Sequence, residues 1–335
     1  MQSSPLVSVI ILNYNGLRYL GQGLKDCLDS VLRTNYPNLE VIFVDNGSTD
    51  GSVNFVRENF AKSKIKMIKN KKNMGFSGGF NTGIRASNGK YLALLSNDMT
   101  VDRGWLKPVI RLMELDQQVG LAGFKFLLYD NTNLIDCVGH YLYLGGHVKA
   151  VGRHEVDRGQ YNTNIDYFDF IGGAMVIRKK TVQDVGLFDP EFKVYSEDVD
   201  LCFRIRKGGY KTVYVHDAVI WHKHSSTFKK MDPKGLFREY MINQNRIQFI
   251  LVHFTLRRIL ATFLIDAVWF ALLLPSSKRI LLKAYLWNLG QIGRTLTKRS
   301  KYGPSPPFDC KFPAIETPYT LMDIQRWIKA KLGLN

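Results

Sequence analysis

A carboxylate stands at the end of one short apolar run in a position suited to binding a nucleoside. Asp45 follows the run 40–44 and opens the turn Asp-Asn-Gly-Ser-Thr-Asp. An ionised Asp there can accept hydrogen bonds from a base or from ribose hydroxyls, and Asn46-Gly47 permits a tight turn. The alternative is an ordinary capping Asp between a strand and a helix.

A glycine-rich segment, 73–83, could surround an anion. It carries four glycines within nine residues and precedes a helical pattern. Glycines let backbone N–H groups approach an anion closely, and a helix start adds positive potential, so a diphosphate would suit the segment. The segment matches neither the P-loop pattern nor the dinucleotide fingerprint, and a flexible loop is the alternative.

Acids and a histidine at three further places suit a metal and a proton transfer. Asp98 follows the buried run 91–95, and a hard divalent cation that holds a diphosphate needs such an oxygen ligand. Glu197, Asp198 and Asp200 open a helical pattern, where one acid could take a proton from an attacking hydroxyl or merely cap the helix. His222 follows another predicted strand and could be a metal or phosphate ligand or a structural histidine.

The elements that must position these residues alternate between strand and helix. This alternation predicts an α/β fold with βαβ units, a mainly parallel, Rossmann-like central sheet flanked by helices, and a ligand crevice at the carboxyl ends of the strands. Residues 121–165 show no clear period and are expected to form an irregular or antiparallel insertion. The predicted strands are 6–12, 40–44, 65–68, 91–95, 170–178 and 211–215, and the predicted helices are 17–32, 51–60, 181–185 and 198–207.

The C-terminal third is basic and helix-compatible. Residues 228–335 carry 18 basic and 6 acidic side chains, and the segment 259–274 is apolar with Asp266 as its one charge. Spanning a bilayer takes about 20 apolar residues, and a central acid is costly. We therefore expect a peripheral, membrane-associating extension of amphipathic helices; a buried helix and a true span are the alternatives.

The amino-acid composition indicates a folded protein and bears on its partners and cellular compartment. The chain has 335 residues, of which 45% are hydrophobic and 22% charged, which predicts a folded protein. Its net charge of +17 could suggest nucleic acid, but the basic residues cluster beside apolar helices, so no nucleic-acid partner is expected. The N-terminus has no basic region before its apolar run, and four widely spaced cysteines suit a reducing cytosol.

Taken in order, the motifs resemble one family. The chain contains NYN, VDNGSTD, NMGFSGGFN, LLSND, GGAMVIR, EDVDLCFR and WHKHSS. This order is similar to that of the inverting nucleotide-sugar glycosyltransferases of family 2, which have the GT-A fold, and especially to their rhamnosyltransferase-like branch. The resemblance covers about residues 5–250.

The resemblance implies roles for individual residues. Asp198 would be the catalytic base with Glu197 beside it, and Asp98 would bind Mg²⁺ or Mn²⁺ with His222, or its rival His224. Ser96 and Asn97 stand where a further acid often sits in the family. The donor nucleotide would contact Asn13, Tyr14, Asn15, Asp45, Asn73, Gly75, Phe76, Gly79, Asn81 and Asn97, and the acceptor side would be lined by Gly172, Gly173 and Ala174.

The function implied is metal-assisted, inverting transfer of a hexose from a nucleoside-diphosphate sugar, of UDP or dTDP type, to a glycan or a polyprenyl- or dolichyl-linked acceptor. The expected domains are a GT-A unit, 1–227, a membrane-associating region, 228–300, and a proline-containing tail, 301–335; within the first, about 1–105 would bind the nucleotide and 106–227 the acceptor. The location would be the cytoplasmic membrane face. A nucleotidyltransferase and a non-catalytic sugar-nucleotide-binding protein are the alternatives, and the oligomeric state is open.

Overall fold

A computed structural model of the chain describes residues 4–142, 145–165, 173–223, 230–272 and 275–303. A nine-stranded sheet lies at its centre, and a two-stranded sheet and four C-terminal helices pack around it. The strands are β1 (Val7–Asn13), β2 (Leu39–Asp45), β3 (Ile65–Lys69), β4 (Tyr91–Ser96), β5 (Met99–Val101), β6 (Val119–Leu128), β7 (Ile135–Cys137), β8 (His140–Leu142), β9 (Val148–Ala150), β10 (Ala174–Arg178) and β11 (Lys211–His222). The helices are α1 (Gly16–Leu20), α2 (Gln22–Leu32), α3 (Ser52–Asn59), α4 (Gly75–Ala86), α5 (Leu106–Leu115), α6 (Lys179–Val185), α7 (Glu197–Lys207), α8 (Leu236–His253), α9 (Leu256–Leu272), α10 (Pro275–Gly290) and α11 (Ile292–Tyr302).

The N-terminal half of the large sheet is parallel, as predicted. All seven residues of β1 are buried, which is typical of a strand covered by helices on both faces. β1 pairs in parallel with β2 and β4, and β2 pairs in parallel with β3. Asn13 lies opposite Asp45, and Leu12 lies opposite Ser96, so the polar loops after these strands share one edge of the sheet.

The whole sheet is mixed, which corrects the prediction of a mainly parallel one. β10 lies antiparallel between β4 and β6, whereas β11 is parallel to β6 and antiparallel to β5. β6 is a buried strand at positions assigned to the irregular insertion; Gly120, Gly123 and Lys125 interrupt its apolar run and hide it from periodicity. Lys125 is buried because its ammonium pairs with Asp157 at 2.9 Å.

Two helix boundaries also differ from the prediction. The single helix expected over 17–32 is divided into α1 and α2 at Gly21, whose φ of 57° is in the left-handed region. Gly51, rather than Asp50, is the residue that caps α3, although Asp50 Oδ1 still accepts a hydrogen bond from the Ser52 amide at 3.0 Å. The end of one strand differs as well, because β11 extends to His222, seven residues beyond the predicted end.

The core divides between the two faces of the sheet. Alternate residues of β1 lie in different apolar clusters, with Ile11 packing beside α2 and α5, and Ile10 packing beside α4 and α7. α4 can come close to β1 because Gly83 has no side chain. An added Cβ at Gly83 would lie 2.3 Å from Ile10 Cγ2. The sheet is therefore covered on both faces, and its strand ends are left to form a site.

The C-terminal helices share a core with the sheet domain. Phe192, Val199 and Phe203 pack against Phe249 of α8 and Ile259 of α9. The expected domain boundary at 227 falls within residues 224–229, outside the described part of the chain.

Asp266 of α9 is buried and does not face solvent. Arg246 of α8 donates to its carboxylate at 2.6 Å, and the Tyr285 hydroxyl donates to it as well. A buried carboxylate is tolerated because of such partners. Within the described residues, no helix has both the length and the apolar character to cross a bilayer.

Candidate functional site

A cavity of about 360 Å³ opens where the carboxyl end of β4, the end of β11 and the start of α7 meet. Asp98 and His222 line it from the sheet, and Glu197 and Asp198 line it from α7. The segment around β8 and β9 and one side of α8 close it. The cavity thus brings together the two acidic motifs that lie about a hundred positions apart in the sequence.

Asp98 is held in the wall of the cavity with one oxygen unsatisfied. Its side chain is buried, its backbone carbonyl accepts a hydrogen bond from the Lys223 amide at 2.9 Å, and Oδ1 has no hydrogen-bond partner among the described residues. Burial alone would raise the pKa of Asp98, but the charge of His222 and hydrogen bonds from His222 and Ser96 outweigh burial and hold this pKa below its usual value. Asp98 therefore presents an ionised carboxylate to the cavity.

His222 reaches Asp98 because β11 pairs with β5. His222 lies opposite Met99 in that pairing, and its Nε2 is 3.5 Å from Asp98 Oδ2. Its other nitrogen, Nδ1, is 2.7 Å from Asp136 Oδ2. Burial would lower the pKa of His222, but Asp98 and Asp136 raise it to about 9.

Asp136 is the site residue that the sequence does not reveal. It lies on the short strand β7, is 1% exposed, and has Arg153 Nη2 3.5 Å from its other oxygen. A carboxylate that accepts the second N–H of a metal-binding histidine fixes the ring and its tautomer. No motif surrounds Asp136 in the sequence; only the pairing of β7 with β6 brings it to His222.

The residues present fit a divalent cation that is shared with a substrate. The unsatisfied Asp98 Oδ1 and the adjacent His222 Nε2 would be its two protein ligands. Within the described residues, no three His, Cys, Asp or Glu side chains form a complete metal cluster. Mg²⁺ in phosphate sites commonly takes only one or two protein carboxylates and completes its coordination with phosphate oxygens and water. His224 lies outside the described residues.

The predicted nucleoside residues form a buried network at the neighbouring strand ends. Asn13 donates to Asp45 Oδ1 at 3.1 Å and accepts from Asn97 Nδ2 at 2.7 Å. Asn15, with φ of 50°, accepts from the Thr49 amide at 2.8 Å, and Tyr14 is partly buried beside it. The network shapes the edge of the sheet next to the cavity, and nucleoside contact by these residues stays a prediction. Asn97 faces Asn13 and is tied into this network.

The glycine-rich segment supports the site mainly through packing. Phe76 lines the cavity, but its amide donates to Lys193 O at 2.6 Å, and the Gly75 amide donates to Asn73 Oδ1 at 2.8 Å. A Cβ at Gly79 would lie 2.4 Å from Leu12 Cδ1, so this glycine permits α4 to approach β1.

Asn81 is the fifth residue predicted in this segment. Its amide exchanges two hydrogen bonds with the Phe188 backbone, at 2.8 and 3.1 Å. The amides at 75 and 76 and the Asn81 side chain are therefore engaged by protein groups, and contact of the segment with a diphosphate stays a prediction.

The acids at the start of α7 have different environments. Asp198 and Glu197 are buried in the cavity wall, and Asp198 Oδ1 accepts a hydrogen bond from the Val199 amide at 2.9 Å. Asp200 faces away, toward Arg204 and His253, each 2.8 Å away. Burial would raise the pKa of Asp200, but these partners lower it to about 2. Asp200 is thus structural, and Asp198 and Glu197 are the acids presented to the cavity.

The predicted acceptor side is only partly described. Gly172 lies outside the described residues. Gly173 lines the cavity, where an added Cβ would lie 1.8 Å from Met99 Cε, and its carbonyl accepts from the Ser96 amide at 2.7 Å. Ala174 is buried at the start of β10. Gly173 and Ala174 are therefore closely packed where β4 meets β10.

Comparison with known sequences identifies several relatives. The glycosyltransferase AglE of Haloferax volcanii is 27% identical over 305 residues, covering 88% of each chain. An uncharacterized protein, y4gI, of Sinorhizobium fredii is 28% identical over 237 residues, which is 68% of this chain and 25% of that protein. An uncharacterized glycosyltransferase of Haemophilus influenzae is 32% identical over 124 residues, or 37% of each. The chain thus spans a quarter to just over a third of the latter two relatives.

Solved structures share the fold at low sequence identity. A mannosyltransferase from Pyrobaculum calidifontis in complex with GDP-Man and Mn²⁺ has a TM-score of 0.53 at 18% identity, covering 91% of this chain and 78% of that one. GalNAc-T7 with UDP, GalNAc and Mn²⁺ has a TM-score of 0.62 at 14% identity, covering 98% and 58%. A family model described as glycosyl transferase family 2 matches residues 8–186, from β1 to the end of α6. Because that match covers more than half of the chain, the protein belongs to glycosyltransferase family 2.

Proposed function

We propose that this protein is an inverting glycosyltransferase that moves a hexose from a nucleoside-diphosphate sugar to a hydroxyl of a glycan or lipid-linked glycan. One observation carries the proposal: Asp98, in the middle of the matched residues 8–186, and Asp198, which follows them in the sequence, line one cavity. A single displacement needs both a group that helps the diphosphate to leave and a base for the incoming hydroxyl.

On the leaving-group side, Asp98 and His222 would hold Mg²⁺ or Mn²⁺ together with the diphosphate oxygens. When bound, such an ion neutralises the negative charge that develops on the departing nucleoside diphosphate. Asp136 holds the His222 ring with Nε2 toward Asp98. The presence of Mn²⁺ in both solved structures of similar fold supports this choice of ion.

On the acceptor side, Asp198 would take the proton. The acceptor oxygen bonds to the anomeric carbon as the bond from that carbon to the phosphate oxygen breaks, and the hydroxyl proton passes to the Asp198 carboxylate. One displacement without a covalent sugar intermediate inverts the anomeric configuration. Glu197 lies next in sequence and lines the same wall, so it is the competing base.

The donor is proposed at the level of its class. Nucleoside contact would come from the network of Asn13, Asn15 and Asp45, with Tyr14 beside it. We propose a UDP or dTDP sugar as the donor, with a rhamnosyl donor as the more specific case. The two solved structures of similar fold contain GDP-Man and UDP, respectively. A nucleotidyltransferase or a non-catalytic binding protein would lack sugar transfer, and the Asp198 experiment below separates these alternatives.

We also propose that the acceptor lies at an anionic, cytoplasmic membrane face. α9 exposes an apolar ridge, defined as Leu256, Leu260, Leu264 and Val268, whose side chains are 55–71% exposed at a spacing of four residues. α10 exposes Leu282, Leu286 and Leu289. Exposed Arg257, Arg279 and Lys283 neighbour these residues in sequence. An amphipathic surface with basic residues favours the headgroup layer of anionic lipids.

Removing the proposed base tests the chemistry. Asp198→Asn is expected to lower turnover about 10²–10⁴-fold, because an amide cannot accept the hydroxyl proton, while affinity for the donor is kept. Turnover and donor binding are measured with a panel of nucleoside-diphosphate sugars and Mn²⁺. Asp130→Asn removes the same charge from an exposed side chain and serves as the control. Full activity of Asp198→Asn, with loss in Glu197→Gln instead, would transfer the role to Glu197.

Removing the carboxylate behind His222 tests the metal site. Asp136→Asn is expected to weaken Mn²⁺ binding about 10–100-fold, because a neutral amide is a weaker acceptor for the His222 Nδ1–H than a carboxylate and makes the ring a weaker ligand. The measurement is the free Mn²⁺ signal in electron paramagnetic resonance during titration with Mn²⁺ and UDP, GDP or dTDP. Unchanged affinity in Asp136→Asn alongside a loss in Asp98→Asn would remove His222 from the site.

The membrane proposal is tested on the apolar ridge. Replacing Leu260, Leu264 and Val268 together by Gln is expected to weaken binding to phosphatidylglycerol-containing liposomes at least about tenfold, since each buried apolar side chain contributes about 1.5–3 kcal/mol. Co-sedimentation with and without phosphatidylglycerol measures this. Leu115→Gln, at a leucine 77% exposed on α5, is the matched control. Equal binding of wild type and triple variant would refute a membrane contact through this ridge.

A further inference from the structure

The segment that enters α7 has an unusual backbone. Tyr195 and Ser196 have φ values of 68° and 66°, so two consecutive residues with side chains adopt the left-handed conformation. L-residues other than glycine seldom adopt it, because Cβ approaches the carbonyl oxygen. Both residues line the cavity, directly before Glu197 and Asp198. The direction of the two acids therefore depends on a turn that the chain does not favour by itself.

One buried amide holds this turn. Asn245, in the middle of α8, is fully buried, and its Nδ2 donates to Val194 O at 2.9 Å and to Tyr195 O at 2.8 Å. Its two N–H groups thus engage two consecutive carbonyls just before the left-handed pair. A carboxylate or an apolar side chain at this position could not make either bond.

The same helix, α8, also contacts the residues of α7 that follow Glu197 and Asp198. His253, eight residues after Asn245, contacts Asp200 Oδ1 through Nε2 at 2.8 Å. Phe249, between them, packs against Phe203 with ring centroids 5.5 Å apart. α8 therefore holds the chain both before Glu197 and after Asp198, although α8 lies outside the residues matched by the family model.

We propose that Asn245 is a positioning residue for the catalytic base: it maintains the left-handed Tyr195-Ser196 turn that directs Asp198 into the cavity. The inference rests on the proposed function, because it takes Asp198 as the base. Asn245 does not touch the reacting atoms in this account. A base displaced by about 1 Å can cost about 10²-fold in rate. Asp98 and His222, on the side of the diphosphate, are held instead by the pairing of β5 with β11 and by Asp136.

Kinetics of Asn245 variants test the role. Asn245→Ala is expected to lower kcat about 10–100-fold while the KM for the donor and the affinity for Mn²⁺ with nucleoside diphosphate stay within about twofold. Asn245→Ser, which keeps one donor, is a milder variant and is expected to lose less. Asn243→Ala is the control, because Asn243 lies on the same helix and, among the described residues, its side chain donates to Glu239 O within that helix.

A second substitution provides the specific readout. Ser196→Gly in the Asn245→Ala background is expected to restore roughly tenfold in kcat, because glycine adopts the positive φ without a steric penalty. A loss of kcat that Ser196→Gly does not relieve, or an equal change in donor KM, would overturn the positioning role.

The Asp198→Asn variant in the same assay separates the two proposals. Inactive Asp198→Asn with fully active Asn245→Ala would overturn the positioning role and leave the proposed function intact. Active Asp198→Asn would overturn the base assignment itself, and with it the positioning role. If Asn245→Ala does not fold, Asn245→Ser with and without Ser196→Gly gives the same comparison.

Discussion

The site depends on one buried arrangement of charge, in which His222 lies between two carboxylates. Asp98 and Asp136 are both removed from solvent, and each has an oxygen within 3.5 Å of the His222 ring. Buried carboxylates are costly without a positive partner, so either a protonated imidazole or a metal ion is needed to keep both ionised. The mixed half of the sheet makes this arrangement possible. The pairing of β11 with β5 brings His222 to Asp98, and the pairing of β7 with β6 brings Asp136 to His222.

The parallel half of the sheet and the positions of its polar strand ends could be predicted from the sequence, because they depend on local patterns. Apolar runs that end in polar turns fix β1, β2 and β4, and parallel pairing then places Asn13, Asp45 and Ser96 at one edge. The acids of α7 and Asp98 could likewise be recognised as helix-start and strand-end motifs. The order of β10, β6 and β11 could not be predicted in the same way, because pairing between distant strands leaves no local period. Lys125 illustrates the difficulty: a lysine in a buried strand is explained only by Asp157, which is distant in sequence.

The contacts of Asp136, Arg153 and Asn245 could not be predicted from the sequence for the same reason. Each acts through a partner that is distant in sequence: His222 for Asp136, Asp136 for Arg153, and the carbonyls of Val194 and Tyr195 for Asn245. Asp266, in contrast, could be recognised in the sequence as the one charge in an apolar segment. The structure adds its partner, because Asp266 forms a buried ion pair with Arg246. One face of α9 thus joins the protein core while the apolar ridge faces outward. The C-terminal helices share the core of the sheet domain and also provide its proposed contact with lipid.

The central claim is that the diphosphate departs at Asp98 while Asp198 deprotonates the acceptor, in one displacement. Proton NMR of the transfer product reports the anomeric configuration of the new bond directly. The account predicts a configuration opposite to that of the donor sugar, formed only when Mg²⁺ or Mn²⁺ is present. A product that retains the donor's configuration would contradict it, because retention requires a second displacement or a different attacking face.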